Sequence, residues 1–338
     1  MSIQIKNPTP PIPEEFLRFL REYQTFYLVT HVEPDGDCIA SSLALGSYLE
    51  RVLGKTVRQF NVGPFERREI LRYQNLFTPR ISPTHRENDP SPAVIILDCS
   101  GPDRIGDLAE DLEDLPVAMI DHHASGKPYG DAAFVDTTAL ATCHLVQLVL
   151  ESFDVPISLS EASLLLFGIA ADTGYFRHAD EQAGTLFAAV SRLLDIGASP
   201  KETFRQMMGG HTQSSRELLG RILGRAQYFA DGAAVLTYET RADAQAFGKQ
   251  SRDSDTLYQL LFGVSGVRLV GLLREEGDSF CAGSLRSIDT IDVSRIAADF
   301  GGGGHKRAAG FAIDLPLKEV RSRMELEFIS AVRADQGR

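Results

Sequence analysis

The sequence predicts an α/β protein, a mainly parallel sheet flanked by helices, joined by a helical connector to a smaller α+β domain. Three observations carry this. Over the first two thirds of the 338 residues, short apolar runs alternate with amphipathic helical patterns, the signature of βα units around a parallel sheet. Several of those runs end on an aspartate, and in open parallel sheets ligand sites lie outside such strand ends. Beyond residue 226 the order changes to strands in succession, then helices.

Residues 26–30 (FYLVT) read as the first strand. After a turn over 31–37, the stretch 39–53 places Ile39, Leu43, Leu45, Leu49 and Leu53 at helical spacing and stops at Gly54. Strands are expected at 56–62, 93–97 and 117–120. Helices are expected at 139–153, 159–171, 182–194 and 200–208, the last broken by Gly209-Gly210. No strand signal occurs between 197 and 225. The first domain is therefore drawn as 1–196, the connector as 197–225 and the second domain as 226–338. In the second, strands are expected at 233–238, 267–274, 279–286 and 310–313, with helices at 293–300 and 317–332 and a glycine loop before the last strand.

At 43% hydrophobic the chain can bury the cores of two domains. A formal charge of −12 opposes wrapping of long duplex or single-stranded nucleic acid, because that affinity comes from Lys and Arg displacing counterions. A small anionic substrate is compatible with it, since bound metals and a local basic patch invert the sign of a cleft. Residues 1–13 have prolines and no apolar core, and 162–171 is too short to span a bilayer, so no membrane partner and a cytoplasmic location are expected. The four cysteines form no CxxC pair; Cys38 and Cys99 follow acidic candidates directly and are expected to pack rather than ligate. His85, His144 and His211 are expected to be structural or solvent-exposed.

His31, Asp35 and Asp37 in THVEPDGD put one imidazole and two carboxylates on one tight turn, a mixture suited to Mn2+. A second cluster, Asp121-His122-His123, follows an apolar run, and Asp98 and Asp172 end two others. Capping or turn formation explains any one such aspartate. It explains poorly the coincidence of His31, Asp35, Asp37, Asp98, His122 and Asp172, which together read as a composite metal centre. In such centres two divalent ions share a carboxylate and a hydroxide that attacks phosphorus in line. Downstream, the glycines at 301–304 with His305, Lys306 and Arg307 read as a loop whose N–H groups approach an anion. Arg286, at the end of the preceding strand, either grips phosphate or pairs with Asp289.

In order along the chain, THVEPDGDCIASSLAL, VIILDCS, IDHH, GIAADTGYF and GGGGHKRAAGF resemble the successive motifs of the DHH/DHHA1 phosphoesterases. The resemblance implies a DHH domain holding two Mn2+ ions, with Mg2+ or Co2+ as alternatives, and a DHHA1 domain that closes over the cleft to bind substrate. Carried over by position, it makes His31 and Asp35 ligands of one metal, Asp37, His122 and Asp172 ligands of the other, and Asp98 the bridge. His123 becomes the stabiliser or proton donor at the scissile phosphate, and Asp121 the acceptor that orients the histidines. Gly303, Gly304, His305 and Arg286 become substrate contacts. Two departures stand out: Glu33 where many relatives have Asn, and Ala40 where they have Gly. Neither touches a ligand.

By its length and lack of any extra domain the chain looks most like the subgroup that degrades nanoRNA of two to five residues and dephosphorylates 3'-phosphoadenosine 5'-phosphate. The expected substrate is thus a short RNA or nucleotide, and a homodimer through the first domain is a further expectation. Cyclic dinucleotide phosphodiesterase, single-strand DNA exonuclease and inorganic pyrophosphatase are alternative activities of the same chemistry. A nucleotide-binding sensor is the non-enzyme alternative.

Overall fold

The structure, a computed structural model, describes residues 10–336 except 100, 113, 125–127 and 182. Residues 1–9, most of the segment expected to lack an apolar core, lie outside the described residues. The chain divides into two compact units, one ending at Gly210 and the other beginning at His211, so the stretch 197–225 is shared between them. No helix among the described residues is long and apolar enough to cross a membrane.

The first unit runs α1 (Glu14–Glu22), β1 (Thr25–Thr30), α2 (Gly36–Leu53), β2 (Thr56–Phe60), α3 (Pro83–Asn88), β3 (Pro92–Leu97), β4 (Val117–Asp121), β5 (Ala132–Val135), α4 (Thr142–Glu151), α5 (Leu159–Asp172), α6 (Gly184–Ile196) and α7 (Pro200–Met208). Its five strands are all parallel, in the order β2-β1-β3-β4-β5. Every residue of β1 is buried, as a strand covered on both faces requires. Alternation sends Phe26 and Leu28 into one cluster with the α2, α4 and α5 side chains, and Tyr27 and Val29 into another with Phe60, Val94 and Ile96.

Three elements of this unit were not expected, the six-residue α3 among them. Helix α1 follows a proline-rich lead-in and buries Phe16, Phe19 and Leu20 within only nine residues. Strand β5 has four residues, AAFV, too few for a period to register. Strand β2 stops at Phe60 rather than 62, because Asn61 leaves the ladder to bond elsewhere.

The second unit runs α8 (Gln213–Gly224), β6 (Gln227–Phe229), β7 (Ala234–Glu239), α9 (Arg241–Phe247), α10 (Ser254–Phe262), β8 (Leu269–Gly277), β9 (Phe280–Ser287), α11 (Val293–Ala298), β10 (Gly303–His305), β11 (Ala308–Ile313) and α12 (Leu317–Gln336). Its mixed sheet has the order β10-β11-β9-β8-β7-β6, with only β7 and β8 parallel. Leu236, Leu285, Phe311 and Phe328 pack one face, Val235, Val270, Leu257 and Leu261 the other.

The expected glycine loop is corrected here. Residues 303–305 form an edge strand that pairs antiparallel with β11, Gly303 opposite Gly310 and His305 opposite Ala308. The glycines have steric reasons of their own: Gly304 sits at φ 143°, and a Cβ on Gly302 would stand 2.2 Å from the Gly310 carbonyl oxygen. An edge strand still leaves alternate N–H groups unpaired, so an approach to an anion survives the correction.

Candidate metal centre

Four segments of the first unit supply the site. Asp35 ends the turn after β1 and caps α2, accepting from the N–H groups of Asp37 and Cys38 at 3.0 and 3.1 Å. Asp98 follows β3 at φ 59°, a left-handed conformation unusual for a residue with a side chain, which re-aims its carboxylate as the strand ends. Asp121 closes β4, His122 and His123 follow it, and Asp172 is the last residue of α5. Two glycines let α5 lie close enough to deliver Asp172: a Cβ on Gly36 would meet Ala171 at 2.5 Å, and one on Gly168 would meet Cys143 Sγ at 2.1 Å.

These residues converge. Asp98 Oδ2 lies 3.7 Å from His31 Nε2, while Asp98 Oδ1 lies 3.5 Å from His122 Nε2. His31 Nε2 is also 4.0 Å from Asp35, and His122 Nε2 is 3.3 Å from Asp172. Ligand atoms of His31, Asp35, Cys38 and Asp98 form one compact set, those of Asp37, His122 and Asp172 another, and Asp98 also groups with His122 and His123.

The hydrogen bonds settle which histidine nitrogen is free. His31 Nδ1 donates to the Val32 carbonyl at 2.8 Å and His122 Nδ1 to the Ala139 carbonyl at 3.1 Å, so in each ring Nε2 is the nitrogen turned into the acidic cluster. His122 Nε2 is buried with no hydrogen-bond partner among the described residues, although two carboxylates face it. An orphaned imidazole nitrogen beside crowded carboxylates is a donor set that divalent cations fit.

The acids repel one another in the absence of a cation. Burial, then the charges of Asp98, Asp172 and Asp35, push Asp37 well above the ordinary carboxylate range. Burial lifts Asp172 to about 6, with Asp98 and Asp35 adding to it against the opposing pull of His122. Burial would also raise Asp98, but His31, His122 and His123 outweigh it and hold the group low. Burial opposes charging of His31, yet Asp98 and Asp35 keep its pKa raised.

His123 differs from its neighbour. Its side chain is 45% exposed, and its Nδ1 lies 2.7 Å from Asp121 Oδ1, which also accepts from the backbone N–H groups of both histidines. That hydrogen bond, working against partial burial, raises His123 to about 9. Cys38 and Cys99 are both buried, and burial raises both thiols, so neither presents a thiolate. Glu33 is exposed at φ 54° and belongs to none of the ligand sets. Ala40 is buried in the α2 core.

Three features escaped the sequence reading. Thr142 donates its hydroxyl to Asp98 Oδ1 at 2.8 Å. Asp37 accepts from the N–H groups of Thr142 and Cys143 at 2.6 and 2.9 Å, capping α4, whose own N-cap residue Ala141 has no side-chain acceptor. Asn61 clamps the ligand turn, donating to Thr30 Oγ1 and to the His31 carbonyl at 2.7 and 2.8 Å. Nothing in the local sequence marks Thr142, whereas a polar residue just after an apolar strand was a weak signal for Asn61.

In the second unit, Arg286 lies over the Tyr258 ring at 5.1 Å and donates to the Leu285 carbonyl at 3.1 Å. Asp289 pairs with Arg268 instead, so the expected alternative partner of Arg286 is taken. Arg286 stands opposite Ala308, and Ala308 opposite His305, so the register puts Arg286 and His305 on one face of three adjacent strands. Gly303 and Gly304 lie beside His305 on the sheet edge. His85 packs edge-on against Phe60, His144 is buried in α4, and His211 lies 3.2 Å from Asp253.

A model of the DHH family, N-terminal domain, matches residues 25–169, and a model of the DHHA1 domain matches residues 238–330. The chain is 30% identical, over 92% of its length and 90% of the relative's, to the bifunctional oligoribonuclease and PAP phosphatase NrnA of Thermus thermophilus. It is 26% identical to the protein of the same name from Bacillus subtilis, over 88% of this chain and 92% of that one. The cyclic-di-AMP phosphodiesterase PdeA of Listeria monocytogenes is 24% identical over 96% of this chain, which spans 49% of that longer protein. In fold, the chain resembles an exopolyphosphatase-related protein from Bacteroides fragilis, with a TM-score of 0.73 at 22% identity over 93% of this chain and 94% of that one.

Proposed function

The chain belongs to the DHH family and is a hydrolase, and from that footing we propose that it is a metal-dependent phosphoesterase that cleaves short oligoribonucleotides and linear dinucleotides to mononucleotides and removes the 3'-phosphate of 3'-phosphoadenosine 5'-phosphate. The observation that carries this reading is the double aim of Asp98, one oxygen toward His31 and the other toward His122. His31 and Asp35 would hold one divalent cation, Asp37, His122 and Asp172 the other, and Asp98 both. Mn2+ suits this nitrogen and oxygen set, with Mg2+ and Co2+ as substitutes. Bound there, two cations supply an activated water and neutralise charge on the phosphoryl oxygens.

The protein's own groups do the rest. His31 and His122 are held in the tautomer that presents Nε2, each by a backbone carbonyl at Nδ1. His123, with Nδ1 committed to Asp121, has its Nε2–H left to give to the leaving oxygen. Asp121 keeps that imidazole protonated and oriented. In the second unit Arg286 and His305, on one sheet face, would grip a substrate phosphate, with the Gly303 and Gly304 edge admitting it closely. A second anion-binding face in the same chain suits a substrate that carries a nucleotide rather than pyrophosphate, and the names of the Thermus and Bacillus relatives support the same class.

The test is hydrolysis of 5'-phosphorylated diadenylate with Mn2+ by the wild type and by Asp98→Asn, beside 3'-phosphoadenosine 5'-phosphate, a cyclic dinucleotide and pyrophosphate. Release of AMP by the wild type alone is the expected result. Cleavage of pyrophosphate only, or of the cyclic dinucleotide only, would replace the substrate assignment.

A further inference from the structure

The first unit contains a second concavity that plays no part in the metal centre. It has a volume of about 430 Å³ and is lined by residues on either side of the 3-10 segment Leu71–Leu76, among them Asn61, Gly63, Phe65, Gln74, Asn75 and Phe77. Cavities of this size are in the range that holds small organic ligands.

Its lining is chemically selective. None of the residues lining it is charged, so no side chain there would neutralise a phosphate or hold a metal ion. The Phe65 and Phe77 rings form an apolar wall, their centroids 5.7 Å apart. Gln74 and Asn75 stand exposed, and neither carboxamide has a hydrogen-bond partner among the described residues. Asn61, by contrast, is fully used: it donates to Thr30 Oγ1 and the His31 carbonyl and accepts from the Gly63 N–H. It therefore serves as floor rather than as recognition group.

An aromatic wall with free carboxamides at its edge is the chemistry of nucleobase recognition. An apolar aromatic wall takes up the base, and a carboxamide, donor and acceptor together, matches the N6 and N7 edge of adenine. The cavity is also mechanically tied to the candidate metal centre. Its floor is fastened to the ligand turn by the Asn61 bond to the His31 carbonyl, at 2.8 Å, and by the Glu33 N–H to the Gly63 carbonyl, at 3.1 Å.

We propose that this cavity is a subsite for a purine base of the nucleotide substrate, with Phe65 and Phe77 as its wall and Gln74 and Asn75 as the groups that read the base edge. The proposal rests on the nucleotide-hydrolase reading above for its substrate, but the pocket is testable without catalysis.

The experiment uses the full chain as wild type and as the double variant Gln74→Leu/Asn75→Leu. Adenosine, which has no phosphate, is titrated into each and followed by saturation-transfer NMR. In parallel, kcat/KM for 5'-phosphorylated diadenylate is measured as a ratio to that for bis(p-nitrophenyl) phosphate, which has no nucleobase. The expected result is an adenosine signal in the wild type that is lost in the variant, with the ratio falling about tenfold. Adenosine binding retained by the variant with an unchanged ratio overturns the proposal, as does a wild type that shows no adenosine signal. If the wild type cleaves neither substrate yet binds adenosine in a way the variant does not, the subsite stands and the hydrolase assignment of the substrate falls.

Discussion

Thr142 donates its hydroxyl to Asp98 Oδ1 at 2.8 Å, so the first residue of α4 orients the carboxylate that faces both ligand sets. The contact is buried on both sides, and Thr142 also gives its N–H to Asp37. Removing the hydroxyl without changing the side-chain shape isolates this orienting role. Thr142→Val is expected to lower Mn2+ affinity and kcat by about 10- to 100-fold, in the manner of groups that position metal ligands. Thr142→Ser should restore most of both. Metal titration alongside kinetics checks it, and a failure of serine to rescue would count against an orienting hydroxyl.

Asp121→Asn should act on His123 first. In metal-stripped protein the wild-type His123 is expected to titrate near the raised value of about 9, chiefly through its Asp121 hydrogen bond, and the variant much closer to 6.5. Because the folded pKa lies above the unfolded one, the stability this pair contributes is complete below pH 6.5 and is lost as pH rises through about 9. Its size is small, since the ring is 45% exposed and solvent screens the pair. Imidazole NMR titration reads the shift directly; identical midpoints in the two proteins would remove Asp121 from its assigned role.

Asp172→Asn separates metal binding from folding. Burial first, and then the neighbouring carboxylates, raise Asp172 to about 6, so the ionised group destabilises the metal-free fold above that pH and not below about 3.8. At pH 8 the chelated variant should melt at a higher temperature than the chelated wild type. Added Mn2+ should raise the melting temperature of the wild type by more than that of the variant, which keeps the His31, Asp35 and Asp98 set but loses one carboxylate of the other. Thermal melts with and without chelator decide it.

Gly304→Ala and Gly303→Ala form a matched pair on the edge strand. At Gly304 the backbone sits at φ 143° and a Cβ would stand 2.6 Å from the Ala308 carbonyl oxygen, whereas a Cβ at Gly303 meets nothing within 4 Å. The first should cost about 1–3 kcal/mol of stability and the second far less. Any rise in KM for a nucleotide in Gly303→Ala, with its melting temperature intact, then reports on substrate approach to the edge.

His144→Leu addresses acid stability. Burial, assisted by the charge of Arg192, depresses His144 to about 4, and its Nδ1 has no hydrogen-bond partner among the described residues. The unfolded chain takes up the proton below pH 6.5 and the folded protein only below about 4, so stability is complete above 6.5 and declines as pH falls toward 4. The total is about 3 kcal/mol by the size of the shift. Denaturant unfolding at pH 5 and pH 7.5 should show a smaller difference in the variant than in the wild type.

The candidate ligands were legible because they sit beside short, strongly patterned elements: His31 after β1, Asp98 after β3, His122 after β4, Asp172 at the end of α5. Such ends can be read from apolar runs alone. The capping of α4 was not legible, because the helix starts behind an alanine and its acceptor, Asp37, lies 105 residues earlier in the chain. Tertiary partners at that separation leave no local pattern. The run 301–304 misled for a different reason, since glycines that relieve a close strand approach look the same in sequence as glycines that form a loop. Helix α1 and strand β5 were too short for periodicity to distinguish them from their surroundings.

Asp37 joins two requirements in one side chain, closing the start of α4 with both oxygens while standing among the candidate ligands. A lineage that no longer needed the chemistry could shed Asp172 or His123 at little cost to its architecture, but a change at Asp37 would leave buried backbone donors unanswered at the head of a core helix. Loss of activity by drift should therefore begin at the rim of this centre and reach Asp37 last. An aspartate retained at that position in an otherwise eroded descendant would testify to packing rather than to catalysis.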